Sequence, residues 1–203
     1  MSGAVERSYV SGGAPGNYPL IEASRMPAIG GTTLNGAFTG MTHSGGLGSV
    51  STAFLSVTAT IHVASILLPR NLPVSALTCI GTTAGTETGF WQALCTQGMI
   101  VRAVSANTAA FTTGFFTQSV LGAASLPYIT EYAGLYYYII GTVSSVAVQV
   151  GASAALVSAA AAAGPPIFCG TNATAATVTP PPVGTQLGAN TGTAGGLIFG
   201  ATA

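Results

Sequence analysis

The chain has 203 residues and a formal net charge of zero, with only 4% charged residues, whereas a typical soluble domain has roughly 25%. It contains no Lys and no Asp, and four of its eight charges fall within the first 25 residues. This composition excludes nucleic-acid binding through a basic patch and indicates a surface that largely meets other protein.

Residues 1–49 differ in composition from the rest of the chain. They hold eleven of the 28 glycines, and no helical or strand periodicity is sustained. This pattern predicts an extended Gly-rich N-terminal arm, which only its own domain or a neighbouring subunit can hold in place. We expect the larger arm side chains Tyr9, Tyr18, Arg25 and Phe38 to contact such a neighbour.

Residues 50–203 are predicted to form one β domain. Apolar and polar residues alternate from Phe54 to Val63 with the period of a half-buried strand. Thr96-Gln97-Gly98 separates two apolar runs as in a hairpin, with Gly98 suited to a positive φ. The predicted strands are 54–63, 74–80, 90–95, 99–104, 115–121, 135–140, 146–150, 167–169 and 197–199. Residues 128–131 are predicted to form a short extended piece.

The strongest strand signal is Leu135–Ile140, which is aromatic and β-branched and is bounded by Gly134 and Gly141. The strand at 146–150 is expected to pair with it. The Ala-rich stretch 154–163 predicts a short helix or a loop, and the prolines at 180–182 exclude regular structure locally. Short strands at this spacing indicate an all-β sandwich of the jelly-roll type.

No segment predicts a membrane partner or a secretory signal. A spanning helix needs about 20 mainly apolar residues. The best candidate, residues 146–163, is mostly Ala, includes Gln149 and two serines, and ends at Gly-Pro-Pro. The N-terminus lacks a basic start followed by an apolar core.

No arrangement of residues predicts catalysis, a cofactor or a metal. His43 lies in the arm, His62 falls on the Ser/Thr face of the first strand, and no Asp exists to orient either one. The four Glu are scattered, and no cysteine pair has metal-ligand spacing. Cys79 and Cys95 are expected to be buried as small hydrophobes. We therefore expect a protein that is not an enzyme.

Two aromatic clusters leave alternatives open. Phe90-Trp91 and Tyr136-Tyr137-Tyr138 are expected to pack in the core or against another subunit, with Tyr136 and Tyr138 as interface residues. The alternative is an exposed platform that binds sugar. The isolated charges of the β domain are candidates for salt bridges that fix the register of an interface, and among them Arg102 and Glu131 are the predicted interface residues.

Several short motifs occur in a characteristic order in the second part of the chain. The chain carries a Leu-Pro turn at 68–69, Ile-Gly-Thr-Thr-Ala-Gly at 80–85, Phe-Trp-Gln-Ala-Leu at 90–94, Gln-Gly at 97–98 and Ala-Gly-Leu-Tyr-Tyr at 133–137. Over residues 50–203 this order resembles a β-sandwich module of virion structural proteins, particularly from phages of actinobacteria. Such modules occur in capsid decoration proteins, head fibres and minor tail proteins.

The resemblance and the composition together imply a structural protein of a bacteriophage virion. The favoured expectation is a capsid decoration protein on the capsid surface, which binds the major capsid protein or another virion protein through its arm and self-associates, preferably as a trimer. The alternative is a minor tail or tail-fibre protein that binds a receptor or glycan, with an exposed aromatic site at Trp91 or Tyr136–Tyr138. An enzyme would require two carboxylates that converge in a groove.

Overall fold

The computed structural model describes residues 40–41, 50–54, 59–83, 87–145, 148–153, 169–192 and 200–202. Apart from Gly40 and Met41, the predicted arm lies outside these residues, as do the Ala-rich stretch at 154–163 and the strand predicted at 197–199. The fold of the described residues is nearly all β, and it includes no α-helix.

Fourteen strands and one 3-10 turn at Ala123–Ser125 make up the regular structure of the described residues. The strands are β1 (Gly40–Met41), β2 (Val50–Phe54), β3 (Thr60–Leu68), β4 (Pro73–Val74), β5 (Ala76–Thr83), β6 (Glu87–Thr96), β7 (Val101–Ser105), β8 (Gly114–Leu121), β9 (Tyr128–Ile129), β10 (Gly134–Ser144), β11 (Gln149–Ser153), β12 (Cys169–Asn172), β13 (Asn190–Gly192) and β14 (Ala201–Thr202).

Twelve strands form one antiparallel sheet that curls on itself. Its order is β1-β14-β5-β8-β7-β6-β10-β3-β12-β13, and β11 pairs with both β2 and β5. β1 is the first strand in this order and β3 is the eighth, but the two lie close together in space. The sheet must therefore curl. β4 and β9 form a separate two-stranded ribbon.

The main core fills the inside of the curl. Alternate residues of β3, β6 and β10 point into it from one side, and residues of β5, β8 and β11 point into it from the other side. Phe90 stacks on Phe111 with ring centroids 4.5 Å apart, and both rings meet the edge of Phe116. This aromatic cluster joins the two parts of the sheet.

A second core covers the opposite face of β3, β6 and β10. Its sheet residues include Val63, Trp91 and Ile139, and Ala176 and Leu187 from the C-terminal segment close it. The Trp91 Nε1 donates to the Thr177 carbonyl oxygen at 2.9 Å. These central strands are therefore buried on both faces, which explains why Leu135–Ile140 forms an unbroken run of apolar and aromatic residues.

β10 continues beyond the glycine that was predicted to end it. Gly141 lies inside the strand, opposite Trp91 of β6. A Cβ added at Gly141 would lie 2.1 Å from the Trp91 Cζ2. The glycine is thus needed for close approach of the indole ring, and the prediction that it bounds the strand was wrong.

The predicted β6–β7 hairpin is confirmed, but its turn is built differently. The positive φ falls on Met99, at 61°, and not on Gly98. Met99 is buried in the second core, and its N–H donates to the Thr96 carbonyl oxygen at 2.9 Å. Burial of this side chain offsets the cost of the left-handed conformation.

The pairing predicted for the strand after β10 was wrong. β11 (Gln149–Ser153) pairs with β2 and β5 instead of β10. Val148 and Val150 enter the main core from the side of β5. The chain therefore crosses from one part of the curled sheet to the other after Ser144, and proximity in sequence does not predict such a crossing.

Candidate interaction surface

Exposed charges and exposed large apolar side chains meet at one end of the described part. This surface, the ribbon end, consists of residues 69–74 and 121–131 with Arg102 beside them. Thr130 fixes it: its Oγ1 accepts from the Leu72 N–H at 2.8 Å, and its carbonyl oxygen accepts from the Asn71 N–H at 2.9 Å. Asn71 adopts a positive φ of 61°, which the Arg70-Asn71 turn requires.

Arg102 and Glu131 form an ion pair at the ribbon end. β6 and β7 shift register between Leu94 and Cys95, which makes Arg102 the extra residue of a β-bulge. Its Nη2 lies 3.3 Å from the Glu131 Oε2, with side-chain exposures of 31% and 52%. Both predicted interface residues are thus accessible, and Arg70 is exposed on the same surface.

Three of the five exposed large apolar side chains of the described residues belong to the ribbon end. Leu126 is 63% exposed, Ile129 51% and Leu121 46%. The Leu126 carbonyl oxygen accepts from the Gly122 N–H at 2.8 Å, which holds this turn in place. Apolar side chains bordered by Arg and a few charges are typical of protein interfaces.

The aromatic clusters are not on the surface. Trp91, Tyr136 and Tyr138 are at most 1% exposed, and Tyr137 is also buried. The assignment of Tyr136 and Tyr138 to an interface was wrong, because both rings face the main core of their own chain. The same burial leaves no sugar-binding platform at Trp91 or at Tyr136–Tyr138.

A polar network connects the two parts of the sheet inside the main core. The Tyr138 hydroxyl donates to the Gln92 Oε1 at 2.5 Å, and the Gln92 Nε2 donates to the Gln118 Oε1 at 3.0 Å. The Gln118 Nε2 in turn donates to the Ala106 carbonyl oxygen at 3.1 Å. This network is buried at Tyr138 and Gln92 and partly accessible at Gln118, and it fixes the position of β8 relative to β6 and β10.

The environment of His62 and of the two described thiols does not favour reactivity. Burial lowers the pKa of His62 to about 4, and the side chain shares the core-facing side of β3 with Ala64 and Ile66. Thr60 lies on the same side by the same alternation, so the predicted Ser/Thr face continues into the core at Ala64 and Ile66. Burial raises the pKa of Cys79 to about 12 and also raises that of Cys95, so both thiols stay protonated at neutral pH.

The two carboxylates of the described residues are far apart. Glu87 begins β6 and is buried, with its Oε1 accepting from the Phe111 N–H at 2.7 Å. Glu131 pairs with Arg102, which is adjacent to Cys95 in the β6–β7 register. The stretch of β6 from Glu87 to Cys95 spans about 26 Å, which is too long for paired-carboxylate hydrolysis.

The described residues offer neither a metal site nor a membrane-spanning helix. They contain no group of three or more His, Cys, Asp or Glu side chains that could hold a metal ion. They also contain no helix whose length and apolar character would allow it to cross a membrane.

The predicted arm contacts cannot be placed on this surface. Tyr9, Tyr18, Arg25 and Phe38 lie outside the described residues. Conversely, Leu121, Leu126 and Ile129 were not predicted as surface residues, because exposed apolar residues next to strands have the same pattern as core residues. Of the three residues, Leu126 was the easiest to recognise from the sequence as exposed. It is an apolar residue in the connection between the predicted strand at 115–121 and the predicted extended piece at 128–131.

No protein-family description, no curated protein and no solved structure matches this chain.

Proposed function

We propose that this chain is a non-enzymatic structural protein of a bacteriophage virion, specifically a capsid decoration protein on the capsid surface. Residues 1–49 form an extended Gly-rich arm that binds the major capsid protein or another virion protein. Residues 50–203 form a jelly-roll-like β-sandwich through which copies associate. The main core shared by β3, β6 and β10 with β5, β8 and β11 supports the sandwich arrangement.

The observation that carries this proposal is the absence of charge from nearly all of the accessible surface of the described residues. Within the described residues, the charged side chains that reach solvent are Arg70, Arg102 and Glu131, all at the ribbon end. The remaining accessible positions are mostly Gly, Ala, Ser, Thr, Gln and Pro. A monomer with such a surface lacks the repulsion that keeps free proteins dispersed, whereas a subunit of a permanent assembly does not need it.

A trimer is the symmetry that we propose, because shells present threefold sites to a decoration protein. The ribbon end supplies the apolar contact, and burial of Leu121, Leu126 and Ile129 contributes about 25 cal/mol for each Å² removed from water. The arm adds contacts to neighbouring subunits and raises the effective affinity of each copy for the shell.

The tail alternative receives less support. A receptor- or glycan-binding tail protein would display aromatic rings, but Trp91 and the tyrosines of β10 are buried. Phe115 is the one large aromatic residue among the strongly exposed apolar side chains of the described residues, and an isolated Phe is a poor sugar platform because it has no polar group.

Labelled particles test this function directly. Particles from cells that carry this gene would be purified on a density gradient and labelled with gold-conjugated antibody raised against the recombinant chain. We expect label distributed over the head at many positions. Label confined to the tail would support the alternative, and particle fractions free of the chain would overturn the virion assignment.

The role of the arm is tested with the full chain. Tyr18→Ala combined with Phe38→Ala removes two arm rings and should weaken binding to shells that lack the chain at least tenfold, as measured by co-sedimentation. Ala28→Ser, a small change in the same segment, serves as the control. Equal binding by all three proteins would contradict attachment through the arm.

A further inference from the structure

β8 has an edge that no described strand covers along most of its length. β8 pairs with β5 from Gly114 to Ser119, but it pairs with β7 only at Val120 and Leu121. The Val120 N–H donates to the Ser75 carbonyl oxygen at 2.9 Å. Because successive residues of a strand direct their N–H and C=O groups to opposite sides, those of Thr117 and Ser119 point away from β5.

The backbone groups of Thr117 and Ser119 have no hydrogen-bond partner among the described residues. Both residues are also exposed. The nearby segment that begins at Ala106 is held by the Gln118 side chain, and it pairs with β6 at Thr108 instead of with β8. An accessible row of unpaired donors and acceptors is a template for another strand.

The chain protects the edge of the adjacent strand but not this one. On the outer edge of β7, the Val101 N–H donates to the Thr185 carbonyl oxygen at 2.9 Å, and the Gly184 N–H donates to the Val101 carbonyl oxygen at 2.8 Å. By contrast, β8 has the sequence Gly-Phe-Phe-Thr-Gln-Ser-Val-Leu. It therefore lacks the charged residues and prolines by which proteins prevent edge-to-edge association.

We propose that β8 pairs antiparallel with β8 of a second copy of this chain, around a twofold axis at Thr117. This inference specifies a contact within the self-association of the proposed function and rests on it. The axis places Thr117 opposite its own counterpart and Ser119 opposite Phe115 of the second copy. Each Thr117 N–H then donates to the Thr117 carbonyl oxygen across the axis.

The properties of β8 favour a second copy over another partner. Pairing two identical strands brings no like charges together, since the segment has none, and facing Thr residues form a favourable cross-strand pair. This edge carries no charged side chain with which a charged partner could pair. In a shell of trimers, twofold contacts of this kind join one trimer to the next, whereas the ribbon end serves the contact within each trimer.

Charge variants at Thr117 test the pairing. Thr117→Lys and Thr117→Glu each place two like charges opposite each other, and each variant alone should have a lower assembly mass than the wild type by light scattering or sedimentation. An equimolar mixture of the two should recover the wild-type mass, because Lys then faces Glu. Gln97→Lys and Gln97→Glu, in the exposed β6–β7 turn, are the matched controls and should leave the mass unchanged.

Disulfide trapping provides a second measurement. Facing Cα atoms in an antiparallel pair of this type are about 5.5 Å apart, within the range for a disulfide. Oxidised Thr117→Cys should therefore form a covalent dimer on non-reducing gels, and the wild-type chain should not. Thermal melts of every variant verify that the fold is retained.

The outcomes separate this contact from the function on which it rests. Unchanged mass for both charged variants, with no trapped dimer, would overturn the β8 contact and leave particle labelling unaffected. A wild-type chain that is monomeric at every concentration would overturn both the β8 contact and the proposed self-association. Loss of mass in both charged variants, without recovery in their mixture, would also overturn the β8 contact. Twofold pairing requires that the mixture recover the mass, because Lys then faces Glu.

Discussion

Strands β10 and β8 belong to the same sheet, but they have opposite environments. β10 packs against the main core through Tyr136 and Tyr138, and against the second core through Tyr137 and Ile139. β8 contacts the core on one face only, and Phe115 and Leu121 on its other face are each nearly half exposed. Both strands are uncharged.

The comparison shows that a lack of charge occurs in two environments in this chain. In β10 it follows from burial by the chain's own C-terminal segment, which closes the second core through Ala176 and Leu187. In β8 no such cover exists within the described residues, and its outer face is accessible there. Substitutions in β10 should therefore affect folding, whereas those on the outer face of β8 should affect association.

The largest effect is expected at the point where β10 meets Trp91. Gly141→Ala introduces a Cβ about 2 Å from the indole ring, and the overlap should lower the free energy of unfolding by about 3 kcal/mol or more. Gly98→Ala is the control, because a Cβ there meets nothing closer than 3.8 Å and no positive φ is involved. Urea denaturation measures both.

The result also tests the close approach itself. If Gly141→Ala were as stable as Gly98→Ala, the indole would not lie against the backbone of β10, and the double burial of this strand would be in doubt. Recovery of part of the lost stability in Gly141→Ala combined with Trp91→Phe would confirm that the clash is with the ring, because the smaller side chain gives the Cβ room.

Local sequence patterns were sufficient to predict the long central strands, but they did not predict β1, β2, β13 or β14. The β6–β7 hairpin, the strand at 115–121 and the core of β10 all follow from apolar runs and turn residues, because those signals are local. The pairing of β11 with β2 and β5 did not follow, since it depends on where the sheet curls. The second core was missed for the same reason: the residues that cover it, Ala176 and Leu187, lie 85 and 96 residues after Trp91 in the chain.

The candidate surface was predicted less well than the fold. Arg102 and Glu131 were selected because charges are scarce, and scarcity is visible in a sequence. Tyr136 and Tyr138 were selected because aromatic residues are common at interfaces, but a strand covered on both faces hides every ring. Exposed apolar residues such as Leu126 become recognisable only when the neighbouring turn has been built.

A smaller effect is expected for the pH dependence of stability, which reports on burial in β3. Burial lowers the pKa of His62 to about 4 in the folded protein, from its ordinary value of 6.5. Between these values the unfolded chain binds more protons than the folded chain, so the free energy of unfolding decreases as the pH falls from 6.5 to 4. The part due to His62 should be about 3 kcal/mol, complete above pH 6.5 and lost near pH 4.

His62→Gln isolates this contribution. The variant retains the carboxylates and His43, so subtraction of its pH profile from that of the wild type removes their titration. Urea denaturation at several pH values should give a shallower acid slope for the variant. Parallel profiles would mean that His62 is solvated in the folded protein, which would contradict its burial against the core side of β3.

The smallest effect on stability is expected at the ribbon end. Its side chains are exposed, so substitutions there should affect association more than folding. Arg102→Gln removes the single contact of 3.3 Å to Glu131, a carboxylate that is 52% exposed, and should cost less than about 1 kcal/mol of unfolding free energy. If the ribbon end lies between subunits, the same substitution should weaken assembly at least tenfold, because a partner removes water from the pair. Glu131→Gln should match it in both respects. A loss of monomer stability well above this limit, with assembly unchanged, would show that the ion pair serves the fold of one subunit and not an interface.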